Sequence, residues 1–164
     1  MTRTLIAALL ALSPSVVLAQ PLGDAAATVD AARAAIEEQA AALDADHDDL
    51  IDRAEIAAAA KAGFPTFDTD GSGDIDAREF AEWPFGFYDM AQHRDRAAEY
   101  RAVFGTVFDI FDRSGDSRLD RLEFQTAMLR GLYDADSDGD GAMSREELLR
   151  GFVPNVALRH AMQD

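Results

Sequence analysis

The stretch that decides the fold is DSDGDGAMSREE, residues 136–147. Asp136, Asp138 and Asp140 alternate with other residues, and two glutamates close the segment. Carboxylates this close together repel one another unless a cation lies among them. The segment therefore predicts a site for a positively charged ion.

The register of the site follows from the positions at which a calcium loop places its oxygen ligands. Such a loop has ligands at positions 1, 3, 5, 7, 9 and 12, a sharp turn at 6 and an apolar residue at 8. Counting from Asp134 puts Arg145 at position 12, where a carboxylate is required, so that register fails. Counting from Asp136 gives the predicted ligands Asp136, Asp138, Asp140, the Ala142 carbonyl, Ser144 and Glu147.

Three further segments fit the same template, at 44–55, 68–79 and 112–123. Each has Asp at position 1, an aliphatic residue at position 8 and Glu at position 12. We number these segments loops one, two and three, and residues 136–147 loop four. Four copies of one spacing argue against a chance run of acids. The predicted ligands are Asp44, Asp46, Asp48, the Leu50 carbonyl, Asp52 and Glu55 in loop one; Asp68, Asp70, Ser72, the Asp74 carbonyl, Asp76 and Glu79 in loop two; and Asp112, Ser114, Asp116, the Arg118 carbonyl, Asp120 and Glu123 in loop three.

The four loops resemble those of the EF-hand family, the fold of calmodulin and its relatives, over roughly residues 36–152. The resemblance implies an all-α fold, with four helix–loop–helix motifs in one compact domain and short β contacts between paired loops. It also implies Ca²⁺ as the cofactor, bound at up to four sites. Apolar residues flank every loop at helical spacing. They are Ala40, Leu43 and Ile56; Phe64, Phe67 and Phe80; Phe108, Phe111 and Phe124; and Leu132, Ala135 and Leu148.

The loops differ at position 6, where the turn needs a positive φ. Glycine reaches that conformation without strain, and Asp tolerates it better than most residues. Loops two and four have Gly73 and Gly141 there, whereas loop one has Asp49 and loop three has Ser117. Loop three also has the fewest acids and three arginines. We expect Ca²⁺ affinity to be highest in loops four and two, lower in loop one, and lowest in loop 112–123.

One helix must join loop one to loop two, and another must join loop three to loop four. Only 12 residues separate the last ligand of loop one from the first of loop two, and 12 again separate loops three and four. A helix of ~12 to 15 residues is ~18 to 22 Å long, so the loops at its two ends cannot lie side by side. Loops two and three have 32 residues between them, enough for two helices, the second from about Asp89 to Phe111.

We therefore predict that loop two pairs with loop three and loop one with loop four, at opposite ends of a bundle. The predicted contacts are Ile75 with Leu119 and Ile51 with Met143. An alternative stays open, because Pro65 disfavours helix in the residue before it and would end the first shared helix early. A sharp return at that point would pair loop one with loop two.

Residues 1–19 have the pattern of a secretory signal peptide. Arg3 precedes an apolar run, and Val17 and Ala19 fit the small-residue positions of a cleavage site. The run is short for a bilayer and a Ser-Pro step interrupts it, which argues against a membrane anchor. We expect a mature EF-hand domain of residues 20–164, periplasmic or secreted and free of the membrane.

The charge balance and the lack of cysteine narrow the functional classes. The formal net charge of −16 argues against nucleic acid or anionic lipid as a partner and favours cations. The chain has no Cys, so no disulfide stabilises it after export. His47, His93 and His160 lack zinc-site spacing, and the sequence has no nucleophile motif. We therefore expect neither catalysis nor a transition metal.

Two functions fit the sequence. In the first, Ca²⁺ binding is coupled to folding and also permits recognition of a periplasmic or secreted protein partner. In the second, the protein is a passive Ca²⁺ buffer or store without a protein target. The aromatic stretch WPFGFYDM at 83–90 is either core or docking surface, and exposure of a groove on Ca²⁺ binding would favour recognition. We expect a monomer.

Overall fold

The computed structural model describes residues 29–83 and 87–162. None of the helices in this part of the chain combines the length and hydrophobicity needed to cross a bilayer. The predicted signal peptide and its cleavage site lie outside the described residues. The described elements are α1 Val29–Leu43, β1 Leu50–Ile51, α2 Arg53–Phe67, α3 Ala77–Ala81, α4 Tyr88–His93, α5 Ala97–Phe111, α6 Arg121–Ala135, β2 Met143–Ser144, α7 Arg145–Arg150 and α8 Val153–Met162.

The helix that leaves each loop starts with a capping box built from loop positions 9 and 12. The side chain at position 9 accepts a hydrogen bond from the N–H at position 12, and the glutamate at position 12 accepts one from the N–H at position 9. This exchange satisfies two N–H groups that would otherwise lack partners at the helix start. The pairs are Asp52–Glu55, Asp76–Glu79, Asp120–Glu123 and Ser144–Glu147.

Helices α2 and α6 are the two shared helices that the loop spacing predicts. Each has 15 residues and is followed directly by the first residue of the next loop, Asp68 after α2 and Asp136 after α6. The expectation that Pro65 would end the first of them early is wrong, because α2 continues through it to Phe67. Pro65 lies in the last turn, where the missing N–H removes only one helical hydrogen bond near the helix end.

The loops pair across the molecule as predicted. Ile75 and Leu119 exchange backbone hydrogen bonds of 2.9 Å in both directions. At the other end, Ile51 pairs with Met143 in the two-residue antiparallel ladder of β1 and β2. Loop two therefore pairs with loop three and loop one with loop four, and the alternative pairing of loops one and two is wrong. This arrangement requires α2 and α6 to run antiparallel between the two loop pairs.

The interface between α2 and α6 holds the two loop pairs at a fixed separation. Phe64 of α2 is fully buried, and its ring meets that of Phe124 of α6 edge to face, with 5.8 Å between centroids. The guanidinium carbon of Arg121 lies 4.5 Å from the centroid of the Phe64 ring. The edge-to-face ring pair and the cation–π contact are both favourable interactions of aromatic rings. Because each of these helices carries a loop at both ends, their packing connects all four loops.

The described segment between loops two and three contains a break that the sequence analysis missed. Helix α4 ends at His93 and α5 begins at Ala97, so the expected single helix from about Asp89 to Phe111 is wrong. Asp95 has a φ of 56°, and its N–H donates to the carbonyl three residues earlier at 3.0 Å. A residue with positive φ cannot continue a right-handed helix, so the chain turns there.

The described aromatic residues that follow loop two pack into the core. Trp83 stacks on Phe67 of α2 with 4.3 Å between ring centroids. Tyr88 and Met90 are buried, and the Tyr88 ring lies 5.9 Å from that of Tyr100. Residues 84–86, the second to fourth of the WPFGFYDM stretch, lie outside the described part of the chain. Of its described residues, Tyr88 and Met90 are therefore core, Trp83 and Phe87 are half-buried, and Asp89 is exposed.

Candidate metal centre

Each loop folds around the carboxylate at its first position. The Oδ2 atom of that aspartate accepts a hydrogen bond from the N–H at position 6, over distances of 2.8 to 3.1 Å. The chain is thereby bent around the first acid, as a cation-binding loop requires. The donor and acceptor pairs are Asp49 and Asp44, Gly73 and Asp68, Ser117 and Asp112, and Gly141 and Asp136.

Every loop has positive φ at two positions, 4 and 6. At position 6, φ is 69° for Asp49, 97° for Gly73, 65° for Ser117 and 94° for Gly141, which confirms the prediction. Position 4 was not predicted, although glycine occupies it in three loops. Loop one has His47 there with φ 63°. This loop therefore contains two non-glycine residues in a conformation that costs roughly 1–2 kcal/mol per residue.

Gly73→Ala is expected to destabilise the protein by about 1–2 kcal/mol. Beyond the adjacent residues, no atom lies within 4 Å of an added Cβ, so the cost is backbone strain at φ 97° rather than a clash. Gly105→Ala in α5 is the matched control, because it has the same open space but a helical backbone. We expect the control to stabilise the protein by about 0.5–1 kcal/mol. Urea denaturation measures both effects, and equal effects would contradict the role of φ.

Each loop brings three carboxylates together. Within each group, one oxygen atom per residue lies within 4.8 Å of an oxygen of each of the other two. Ca²⁺ binds oxygen ligands at ~2.3–2.6 Å, so two ligands of one ion lie up to ~5 Å apart. The groups are Asp44, Asp46 and Asp48; Asp68, Asp70 and Glu79; Asp112, Asp116 and Glu123; and Asp136, Asp138 and Glu147.

An unsatisfied oxygen atom shows that a cation fits loop two. Asp68 Oδ1 is buried and has no hydrogen-bond partner among the described residues, whereas Oδ2 accepts from the Gly73 N–H. Leaving a buried polar atom without a partner costs free energy. A cation bound among Asp68, Asp70 and Glu79 would supply the missing interaction.

The predicted ligands outside the acid groups make different contacts in different loops. Those at position 9 cap the exiting helices, and those at position 7 are predicted to contribute a backbone carbonyl. Glu55 is not part of the loop-one acid group, and its Oε1 accepts the Ala45 N–H at 2.6 Å. The predicted residues outside the four acid groups are Leu50, Asp52, Glu55, Ser72, Asp74, Asp76, Ser114, Arg118, Asp120, Asp140, Ala142 and Ser144. The role of every predicted residue as a ligand, inside or outside these groups, stays a prediction.

Hydrogen bonds hold acids of loops four and two in their ionised form. The Ser144 N–H, then the Ser137 hydroxyl and N–H, donate to Glu147 and lower its pKa to about 2. The Ser72 N–H lowers the pKa of Asp70. Metal ligands must be deprotonated, so these two carboxylates are available to a cation at neutral pH.

An ion pair crosses each pair of loops. Arg145 Nη2 of α7, at the end of loop four, lies 2.9 Å from Asp49 Oδ1 of loop one. Arg118 Nη1 of loop three lies 3.9 Å from Asp74 Oδ2 of loop two. These side chains are exposed, so each pair contributes at most about 1 kcal/mol. Neither contact was predicted from the sequence, because each joins residues that are distant in the chain.

The fold and the acid groups define an α-helical protein with two pairs of acidic loops, each a candidate cation site. Two segments match the EF hand family model, residues 61–82 and 131–153. The first contains the second half of α2, loop two and α3, and the second contains the end of α6, loop four and α7. These two segments are similar to EF hands, and Ca²⁺ is the cation that the loops of EF hands bind.

Proposed function

We propose that the protein is an exported Ca²⁺-binding protein in which all four loops bind the ion and binding is coupled to folding. The close grouping of three carboxylates in every loop, within 4.8 Å, is the observation that carries the proposal. Loops one and three lie outside the segments that match the family model, but the oxygen atoms of their acid groups also lie within 4.8 Å of one another. The proposed role of the protein is ion binding rather than catalysis.

Charge repulsion supports the coupling of binding to folding. The loops contain 20 of the 31 acidic residues, and folding gathers them at the two ends of α2 and α6. Without a cation this repulsion opposes the folded state, whereas each Ca²⁺ places two positive charges among the acids. The chain has no cysteine, so the bound ions take the stabilising role that disulfides have in many exported proteins.

Titration calorimetry on residues 20–164 tests the number of sites and their order of affinity. A Glu→Gln change at position 12 removes one negative charge and one carboxylate oxygen ligand from a single loop. Glu79→Gln and Glu147→Gln are each expected to weaken a tight site by about 10- to 100-fold, the effect of losing a contact to a charged group. Glu55→Gln should weaken an intermediate site, and Glu123→Gln only the weakest.

Glu146→Gln is the matched control, because it removes the same charge from loop four at a residue outside the predicted ligand set. We expect it to change affinity by about 2-fold, the effect of an exposed charge several ångströms away. If Glu123→Gln removed the tightest binding, the affinity order would be wrong. Binding of fewer than four ions by the unmodified domain would contradict the four-site proposal.

Export rests on the signal-peptide pattern of residues 1–19. Expression of the full chain in a bacterium, followed by mass spectrometry of the periplasmic fraction, tests it. We expect a chain that begins at Gln20. An uncleaved chain that stays in the cytoplasm would contradict export.

Passive buffering is a second candidate, and the packing of the aromatic residues favours it. Trp83 lies against Phe67 and Tyr88 is buried, so these rings are not docking surface in this structure. Partner recognition requires apolar surface that becomes exposed when Ca²⁺ binds. A rise in hydrophobic-dye fluorescence on Ca²⁺ addition would support recognition, and an unchanged signal would support buffering. A sizing column on the same samples tests the predicted monomer.

A further inference from the structure

Hydroxyl groups at position 2 contact the position-12 glutamate in two of the loops. In loop two, Thr69 Oγ1 donates to Glu79 Oε1 at 2.8 Å, and the Thr69 N–H donates to the same atom at 2.8 Å. In loop four, Ser137 Oγ and the Ser137 N–H both donate to Glu147 Oε1 at 2.7 Å. One residue thus holds one carboxylate oxygen through two donors.

The other two loops lack this contact. Position 2 is Ala45 in loop one, where only the backbone N–H can donate to Glu55. Position 2 is Arg113 in loop three, and the donor to Glu123 Oε1 is the N–H of the next residue, at 2.9 Å. The two loops with a hydroxyl at position 2, loops two and four, are also the two with glycine at position 6. Both lie in the segments that match the family model.

A hydrogen bond to a carboxylate that binds metal orients it before the ion arrives. The glutamate side chain has three torsions, and fixing them in advance reduces the entropy that is lost on binding. Changes in such supporting groups typically reduce metal affinity about 10- to 100-fold. A hydroxyl can also rotate, so it can adjust its hydrogen bond when a cation approaches the carboxylate, whereas a backbone N–H is fixed.

We propose that Thr69 and Ser137 are positioning residues that orient Glu79 and Glu147 and thereby make loops two and four the tight sites. This inference rests on the proposed function and adds a cause for the order in which the loops fill. Ligand charge sets part of that order, and the position-2 hydroxyl adds to it in the two loops that have one.

Loop two can be followed by fluorescence, because Trp83 is the only tryptophan of the chain. Its ring stacks on Phe67, and its indole N–H donates to the Thr66 hydroxyl at 3.0 Å. Both contacts lie in the last turn of α2, directly before loop two. The Ca²⁺ midpoint of the Trp83 signal is therefore expected to report on loop two.

Thr69→Val removes the hydroxyl and keeps the shape of the side chain. We expect it to raise the Ca²⁺ midpoint of the Trp83 signal by about tenfold, the lower end of the range for such supporting groups. Thr69→Ser keeps the hydroxyl and is expected to keep the midpoint within about twofold, which separates positioning from a packing effect. Circular dichroism at saturating Ca²⁺ checks that both variants are folded.

Two further variants test the other loops by titration calorimetry. Ser137→Ala is expected to weaken one tight site about tenfold and leave the Trp83 midpoint nearly unchanged. Ala45→Ser adds a hydroxyl to loop one and is expected to tighten the intermediate site several-fold, roughly the effect of one hydrogen bond. The inference is overturned if Thr69→Val leaves the midpoint unchanged, or if Val and Ser shift it equally, in a domain that still binds Ca²⁺. Failure of the unmodified domain to bind would instead overturn the proposed function.

Discussion

Removal of Ca²⁺ is expected to lower the melting temperature of the domain by ~20 °C or more. An ion present at about 100 times its dissociation constant stabilises the folded chain by about 2.7 kcal/mol, so four ions contribute about 11 kcal/mol. For a domain of this size, each kcal/mol corresponds to about 2–4 °C. The total is comparable with the whole stability of an ordinary domain, so the metal-free chain should also lose helix.

Thermal melts followed by circular dichroism, in excess Ca²⁺ and in excess chelator, measure this effect. The control is a variant with all four position-12 glutamates changed to glutamine, Glu55, Glu79, Glu123 and Glu147. Its melting temperature should respond little to the chelator, because its loops no longer bind the ion tightly. If the wild-type domain in chelator were as compact and as heat-resistant as the Ca²⁺-loaded domain, the coupling of binding to folding would be contradicted.

Phe64→Ala is expected to destabilise the Ca²⁺-loaded domain by about 3–5 kcal/mol. The Phe64 side chain is fully buried between α2 and α6, against the Phe124 ring and beneath the Arg121 guanidinium. Its loss would leave a cavity and remove an aromatic pair and a cation–π contact. Because both helices carry loops at each end, we also expect weaker Ca²⁺ binding at both ends of the molecule.

The matched control is Leu122→Ala, which also shortens a large apolar side chain of α6. Leu122 of α6 is 71% exposed, so its truncation should change stability by less than about 0.5 kcal/mol. Urea denaturation at saturating Ca²⁺ compares the two variants. A cost below about 1 kcal/mol for Phe64→Ala would show that the helix interface does not hold the two loop pairs together.

The sequence predicted the loops because their interactions are local. The acids that meet in loop four, Asp136, Asp138 and Glu147, lie within 12 residues of one another, and the turn at Gly141 is recognisable from residue type. The capping boxes are equally local, and the Ser-x-x-Glu spacing of Ser144 and Glu147 could have predicted the start of α7. The glycines at position 4 were a similar signal for a second left-handed residue.

The predicted helix boundaries failed where the signal was weak or conflicting. Pro65 disfavours helix before it, but the last turn of α2 loses little by including it. An aspartate such as Asp95 does not by itself demand a turn, yet its positive φ separates α4 from α5. In both places the local signal was compatible with more than one backbone path, because proline is tolerated near a helix end and Asp adopts positive φ more readily than most residues.

By itself, the sequence determined the four loops and their register, and it favoured one of two pairings. Chain length favoured the observed pairing, because a 15-residue helix cannot bring the loops at its two ends together. The structure excluded the alternative that Pro65 had left open. Only the tertiary structure decided which side chains meet across the paired loops, such as Arg145 with Asp49, 96 residues earlier. It also decided that Trp83 lies on Phe67. Contacts of this kind depend on the relative placement of separate elements, and neither residue type nor spacing encodes them locally.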